Sequence, residues 1–380
     1  MKSTKLFVLY FGAITGVFAQ KVDLDRFYFK VNYQKLPYEF VPLENRTYGV
    51  RANVGGAIRS YTDENSIYDR VVVHGWKKIE SNPTVGVEVN VDDFAFRGAE
   101  TKSETVENKD KDGKVTSRTT YYWVQANYEG RGTCRIKGPM TPRTPTAKEL
   151  EEKKKKEEEK TTNRFLANVN VAKPTEDNTN GFNLGLSNSY TYTSDKSTSA
   201  SAVSNDFSNR KEAIYGENLR KFVDGSVSFV NSRLNSTYGF TPVNDEDFLW
   251  ILNSKDHPEY QTQQEAIAAV KELFKTMKAD EPISTLESNM APLIDYLQSL
   301  KTKYGGDDKR NKKLRYSAYY NLSKIYYYLD KPEKAKEEAD GLIKNGFDEK
   351  DGEKLFEVAV NLSDSMKQAK VNTRHNESLK

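Results

Sequence analysis

The sequence has little of what catalytic and metal-binding proteins depend on. It contains one cysteine and three histidines in 380 residues, and His74, His257 and His375 lie far apart, with no HxxxH or CxxC spacing. A zinc site needs several such ligands at defined spacing, so we expect no metal. The GxSxG motif and the phosphate loops GxxxxGK[ST] and GxGxxG are also absent. These absences favour a non-catalytic protein that needs no cofactor.

Acidic residues leave one catalytic alternative open. Residues 92–93 and 245–247 are acidic, and glycoside hydrolysis uses two carboxylates that face each other across a cleft. Adjacent positions in the sequence do not show such a cleft, so we expect turn or helix-cap roles for both groups. Residues 110–113 begin like a calcium loop, but Val115 and Tyr121 stand where that loop requires Gly and Glu. A hydrolase of unfamiliar fold is therefore kept only as a third hypothesis, after the protein-docking and carbohydrate-binding functions given below.

The single cysteine excludes an intramolecular disulfide, so stability must come from burial of a core. Cys134 lies in a segment that resembles a strand. A lone cysteine could act as a nucleophile, but a small buried side chain in a strand is the favoured interpretation.

Residues 1–19 have the features of a secretory signal peptide. Lys2 and Lys5 precede an apolar run over 6–18, and the residues before Gln20 suit a signal peptidase. No cysteine follows the run, so no lipid anchor is expected there. No later segment approaches the roughly 20 apolar residues of a membrane span. The sequence thus predicts an exported protein of the periplasm or cell surface, with no membrane span.

Net charge gives no support for a nucleic-acid partner. The chain has 58 Lys and Arg residues against 55 Asp and Glu residues, and loss of Lys2 and Lys5 with the signal would leave 56 against 55. Residues 141–162 concentrate many of these charges, but both signs are present. This segment is interpreted as a charged linker or insertion without an apolar face.

Period-two alternation predicts strands in the first half of the chain. Residues 84–91 alternate apolar and polar side chains, and 68–76, 119–128 and 132–136 also have strand character. Asp112-Gly113 is a hairpin-turn signal. The strand pattern returns at 165–171, and 178–204 is interpreted as one more hairpin or an ordered loop. The resulting prediction is an antiparallel β-rich domain that comprises residues 20–140 and 163–204.

Helical periodicity dominates the rest. A helix is expected at 209–235, weakened by two glycines, and a short buried strand or helical turn at 248–252, within a connector of residues 205–260. An all-α domain follows over 261–370, before a polar tail at 371–380. Its helices are expected from about 261 to 277 and at 286–300, 309–329, 332–345 and 353–370. The fold class is therefore α+β multidomain, with a β-rich N-terminal and an all-α C-terminal domain.

Residues 318–343 resemble one tetratricopeptide repeat (TPR). The positions that match the repeat pattern are Tyr319, Leu322, Ser323, Tyr326 and Ala335. Asp330 stands where Gly is common, and Leu342 stands where Ala is common. The resemblance implies a helical hairpin that stacks on neighbouring helices and belongs to a TPR-like domain that docks proteins.

Tyrosines in this hairpin are the candidate partner-binding residues. They are too many for one core stripe of a helix, and exposed aromatic side chains suit interfaces. The candidates are Tyr316, Tyr320, Tyr327 and Tyr328. The expected function is that of a cell-envelope scaffold or accessory subunit that binds protein partners through the helical domain. The alternative is a carbohydrate- or surface-binding protein whose β-rich domain uses Trp76, Trp123 and nearby tyrosines.

Overall fold

The computed structural model describes residues 22–140, 151, 155 and 180–376. The expected signal peptide, most of the charged segment 141–162 and the strand expected at 165–171 lie outside these residues. The described residues have mixed α and β content, 45% helical and 30% strand. The chain divides into two compact units. The helical unit comprises residues 22–33, 243–364 and 372–375, and the sheet unit comprises residues 34–140, 180–242, 365–371 and 376, as far as each is described.

Strands and helices are numbered in chain order. The strands are β1 Leu24–Lys35, β2 Thr47–Val54, β3 Lys77–Lys78, β4 Val85–Lys109, β5 Val115–Lys137, β6 Gly181–Gly185, β7 Asn188–Thr193 and β8 Thr241–Leu252. The α-helices are α1 Glu64–Arg70, α2 Ala200–Thr237, α3 Tyr260–Lys275, α4 Ser284–Lys303, α5 Lys309–Tyr328, α6 Pro332–Asn345 and α7 Glu349–Ala369, and a 3-10 helix covers Leu43–Asn45.

The sheet unit is built on six strands in the order β3-β2-β4-β5-β6, with β7 also paired to β5. The pairs that β5 forms with β4, β6 and β7 are antiparallel, as the sequence predicts. However, β2 runs parallel to both β3 and β4. The sheet is therefore mixed, since the segment between β2 and β4, which contains α1, carries the chain back to the same end of the sheet.

One face of this sheet is buried under α2. The valines of β4 at positions 85, 87, 89 and 91 are all buried, because alternate side chains of a strand point to one face. Phe222 of α2 is fully buried, and its ring stacks on that of Phe94 at 5.8 Å. A Cβ atom at Gly130 would overlap the Phe222 ring, so only glycine fits beneath it. The opposite face of the sheet is left to polar side chains.

Two local predictions in this unit were wrong. Residues 68–76 do not form a strand, because α1 ends at Arg70 and the backbone that follows is hydrogen-bonded to side chains of α2. Val72 N donates to Asn231 Oδ1 at 3.0 Å, and His74 N donates to Asn235 Oδ1 at 2.8 Å. The helix expected from 209 begins at Ala200, where the Ser199 side chain caps it.

The β4–β5 hairpin is longer than predicted. Its turn lies at Gly113, as expected, with φ of +79° and a bond from Asp110 N to Lys114 O of 2.9 Å. The strand β5 is continuous across the two segments expected as separate strands. Its central part is held on both sides, by β4 and by β7, which explains why no break occurs there.

The helical unit contains α3 to α6, most of α7 and a two-stranded sheet formed by β1 and β8. The helices confirm the five helical segments predicted from the apolar stripes. Phe29 of β1 is buried and stacks on Phe274 of α3 at 5.1 Å. Asn321 of α5 bonds to both backbone groups of Trp250, at 2.8 and 2.7 Å, and so holds β8 against the helix. The segment 248–252 is thus the end of a strand.

Candidate functional site

Three of the four candidate tyrosines lie inside the helical unit. Tyr316, Tyr320 and Tyr328 are only 3%, 6% and 3% exposed. The Tyr316 hydroxyl donates to Asp351 Oδ2 at 2.7 Å, and the Tyr328 hydroxyl donates to Asp247 Oδ2 at 2.7 Å. Burial raises the pKa of both phenols, and the neighbouring carboxylates raise it further. Tyr316 and Tyr328 thus have hydrogen-bonded hydroxyls, and all three side chains pack in the core, so they form no open contact surface.

Tyr327 is the one candidate tyrosine that is half-buried. The guanidinium of Arg374 lies 4.5 Å from its ring centre and 4.4 Å from that of Tyr33. The Tyr327 ring also packs edge-on against Tyr328. Its contact with a partner stays a prediction.

The residues proposed for a ligand face on the β-rich part do not come together. Trp76 is 5% exposed, and its Nε1 donates to Tyr238 O at 2.7 Å, so it belongs to the core. Trp123 is half-buried beside Lys196, whose Nζ lies 4.9 Å from the ring centre. Cys134 is buried, as expected, and burial raises the pKa of its thiol to about 12, so it is not a nucleophile at neutral pH.

Asp330 is a buried carboxylate that the sequence marked only as a departure from the TPR pattern. It adopts a left-handed conformation with φ of +57°, the geometry for which glycine is usual. Its side chain accepts bonds from Thr373 Oγ1 at 2.8 Å and from Arg374 N and Nε at 2.6 Å each. Both charged side chains are 3% exposed. This pair closes the chain's C-terminal segment onto the α5–α6 turn.

Glu259 is a second buried carboxylate of the helical unit. It accepts hydrogen bonds from Tyr296 at 3.0 Å and Tyr304 at 3.1 Å, and it pairs with Lys303. Burial acts to raise the pKa of Glu259, but these three donors outweigh it and lower the pKa below its usual value. A general base needs a pKa near the working pH and a free lone pair. The lowered pKa of Glu259 and its three hydrogen bonds instead indicate a structural role.

Within residues 22–140 and 180–376, no group of three or more His, Cys, Asp or Glu side chains could hold a metal ion. Among the helices of the same part of the chain, none is long and apolar enough to cross a bilayer.

An open groove lies on the polar face of the sheet unit. It has a volume of about 1000 Å³ and runs over β2, β4 and the end of β5, beside the turn at residues 80–84. Its floor includes Gly49 and Gly86, which are paired in register on neighbouring strands. The absence of side chains at these two positions leaves the space that larger residues would fill.

The turn that walls the groove depends on one of these glycines. Residues 80–84 lie against β2, where Ile79 N donates to Tyr48 O at 2.8 Å and Thr84 N donates to Thr47 Oγ1 at 3.1 Å. A Cβ atom at Gly49 would approach Pro83 Cγ to 2.8 Å, so a larger residue would push the turn away. Gly86 differs, because a Cβ there would meet nothing closer than Lys137 Cβ at 4.0 Å.

Charged side chains form a row across the groove. Arg51 of β2 pairs in register with Glu88 of β4, and Glu88 pairs in register with Arg135 of β5. Lys137 follows two residues later on the same face. The three cations are exposed and Glu88 is half-buried. The alternation at 84–91 predicted a polar face here, but nothing in the sequence indicated which residues of the other strands would lie beside Glu88.

Comparison with known proteins found no matching family model, no matching curated protein and no matching solved structure.

Proposed function

We propose that the protein is an exported, non-catalytic binding protein and that the groove of the sheet unit is its ligand site. The observation that carries this proposal is an open space of about 1000 Å³ on a polar sheet face. Ligand pockets typically have volumes of roughly 300–1000 Å³ and a few well-placed polar groups. The groove combines charged side chains with hydroxyl and amide groups, and no histidine or cysteine lines it.

Binding is favoured over hydrolysis by the position of the two groove carboxylates. Glu80 is exposed on the turn, and Glu88 lies between two arginines in register. A glycosidase acid is usually enclosed by apolar side chains and faces a second carboxylate across the substrate. Neither glutamate has such an enclosure. We therefore assign the carbohydrate-binding alternative to this groove instead of to Trp76 and Trp123.

The test is to fill the groove without disturbing the core. Gly86→Trp places a large ring on the groove floor, where a Cβ is tolerated. Gly185→Trp is the matched control, since a Cβ at Gly185 meets nothing within 4 Å and this β6 residue does not line the groove. Both variants and the parent protein would be screened against an array of neutral and acidic glycans.

The proposal expects ligands that the parent and Gly185→Trp proteins bind and that Gly86→Trp does not. Equal binding by all three proteins would place the ligand site elsewhere and contradict it. A parent protein that binds no glycan on the array would contradict the carbohydrate form of the proposal. Circular dichroism of each variant would show whether the sheet unit stays folded.

Protein docking by the helical unit is the second candidate function, and a TPR-like nature of the α5–α6 pair is part of it. It is favoured by an exposed aromatic group on β1 and β8. Tyr28 is 50% exposed and lies 6.0 Å from Phe248, while the Arg26 guanidinium lies 4.7 Å over the Phe248 ring. Tyrosine and arginine are enriched at binding hot spots.

Docking can be tested with a matched pair of tyrosine variants. Tyr28→Ser removes the exposed ring of the helical unit, and Tyr38→Ser removes a ring of similar exposure, 45%, from the sheet unit. Co-purification of the full chain from its native envelope should lose a specific partner only for Tyr28→Ser. Retention of the same partner by both variants would argue against this surface.

A further inference from the structure

We infer that the groove of the sheet unit recognises an acidic oligosaccharide, whose carboxylates pair with Arg51, Arg135 and Lys137. This inference rests on the proposed function and concerns the chemical class of the ligand. It is carried by three features of the groove: the spacing of its cations, their accessibility and the chemistry of the remaining lining.

The first feature is the spread of the cations over the groove. Neighbouring strands lie about 4.8 Å apart, so the Cα atoms of Arg51 and Arg135, which stand on either side of Glu88, are about 10 Å apart. Lys137 lies about 7 Å further along β5 on the same face. Cations spread over such distances match a chain with repeated negative charges better than they match one compact anion.

The second feature is the accessibility of the cations to a ligand. Arg51, Arg135 and Lys137 are exposed, and none of them forms an ion pair with a carboxylate in the described part of the chain. Several other exposed arginines of the sheet unit are paired, as in Arg97 with Glu129 and Arg118 with Glu107, both at 2.8 Å. An arginine guanidinium can hold a carboxylate through two parallel hydrogen bonds, which adds geometric specificity to charge.

The third feature is the rest of the lining. Ser81, Asn82 and Thr84 supply hydroxyl and amide groups from the turn, and the glycines of the floor allow close approach. The groove contains no aromatic ring on which a neutral sugar could stack. It also lies on a sheet face and has no row of apolar pockets, which an extended peptide would use for its side chains. Polar groups and cations together therefore suit a hydroxyl-rich, negatively charged chain.

The alternative is that Arg51, Glu88 and Arg135 are only a cross-strand charge ladder that stabilises the sheet. Glu88→Gln separates the two interpretations. A ladder would lose stability and gain no binding. In a ligand site, removal of this negative charge should strengthen anion binding by about threefold, the size of an exposed charge interaction.

The experiment is isothermal titration of the mature full-length chain with hexagalacturonate and with its fully methyl-esterified form, at low ionic strength. The two probes have similar shape and differ in charge. Arg51→Gln and Arg135→Gln, singly and together, are compared with Arg97→Gln and Arg118→Gln, which alter exposed arginines of the same unit outside the groove.

The expected result is binding of the acidic probe, with each groove arginine contributing about tenfold in affinity. The ester should bind at least tenfold more weakly, and added salt should weaken the acidic probe. The control arginines should leave affinity unchanged. A decrease of the same size in the control variants would indicate unspecific charge attraction and overturn the inference.

Three other outcomes are decisive. Equal affinity for acid and ester would overturn the inference about charge while the groove remains a saccharide site. Absence of binding to both probes, with glycan binding on the array still blocked by Gly86→Trp, would also overturn only the inference. Preference for a hexaglutamate peptide over hexagalacturonate would replace the saccharide with a protein partner.

Discussion

The helical unit and the sheet unit both gather polar and charged side chains, but they place them differently. In the helical unit, Asp330 and Glu259 are enclosed, and every partner they have comes from the same unit. In the sheet unit, Arg51, Glu88 and Arg135 stand on an open face beside a groove. A cluster of polar residues therefore indicates a ligand site only where its partners are not already supplied by the protein.

The physical reason for this difference is the cost of desolvation. A charge removed from water must be paired and hydrogen-bonded, so each buried carboxylate is paired with a cation and hydrogen-bonded to neighbouring side chains. A charge on an exposed strand stays hydrated at little cost and can exchange water for a ligand. The same rule explains the tyrosines, because a buried phenol such as Tyr328 can stay in the core once its hydroxyl has an acceptor.

The largest effect should come from the apolar core of the sheet unit. Phe222→Ala removes a fully buried ring between α2 and the sheet, and we expect a loss of about 4 kcal/mol in the free energy of unfolding. Phe229→Ala on the same helix is the control, since this ring is 45% exposed and should cost less than about 0.5 kcal/mol. Urea unfolding followed by circular dichroism measures both. Similar losses for the two variants would contradict the packing of α2 described above.

The enclosed ion pair of the helical unit gives the next prediction. Asp330→Asn preserves side-chain shape and tolerates the left-handed backbone, but leaves the Arg374 charge buried without its partner. We expect a loss of about 3 kcal/mol in unfolding free energy. Asp340→Asn removes an exposed partner of Lys344 and should cost less than about 1 kcal/mol. If both substitutions cost the same, the contrast between enclosed and open charges would not hold.

Acidification should destabilise the helical unit through His375. Burial lowers the pKa of His375 below its usual 6.5, and nearby Arg374 adds to this effect. The neutral imidazole therefore stabilises the fold above about pH 6.5, and this contribution is lost as pH falls below that value. The slope for one such group is at most about 1.4 kcal/mol per pH unit.

His375→Asn tests this assignment, because an amide can replace the Nδ1 donor that bonds to Lys278 O at 2.7 Å and has no proton to gain. Unfolding would be measured by urea titration at about pH 7 and about pH 5. The variant should lose less stability on acidification than the parent protein. An unchanged difference between the two pH values would assign the acid sensitivity to other groups, such as the buried His257.

The smallest predicted effect should be the same in both units. Asp63 caps α1 by accepting from Ser66 N at 2.7 Å, and Asp308 caps α5 by accepting from Arg310 N at 3.0 Å. Both caps are local and exposed, so Asp63→Ala and Asp308→Ala should each cost about 1 kcal/mol in unfolding free energy. A much larger loss in only one unit would show that the contrast extends to surface features. Urea unfolding of the two variants provides the measurement.

Sequence reasoning succeeded where a local pattern decides the structure. The apolar stripes predicted the helices from α3 to α7, and Asp112-Gly113 predicted the turn of the long hairpin. It failed at residues 68–76, where Asn231 and Asn235, distant in the chain, take the hydrogen bonds that a strand would have formed. The number of tyrosines correctly marked the α5 helix as unusual. The sequence did not show that these tyrosines are buried, because the carboxylates that accept their hydrogen bonds, Asp351 and Asp247, lie on other elements.

By itself, the sequence determined the mixed helix and strand content, the helical periodicity of the C-terminal region and the lack of known catalytic and metal-binding motifs. Only the tertiary structure decided that Arg51, Glu88 and Arg135 form one row and that Tyr316, Tyr320 and Tyr328 face inward. Periodicity records which residues of a single element share a face. The pairing of faces from distant segments depends on strand register and on packing, which no short stretch of sequence specifies.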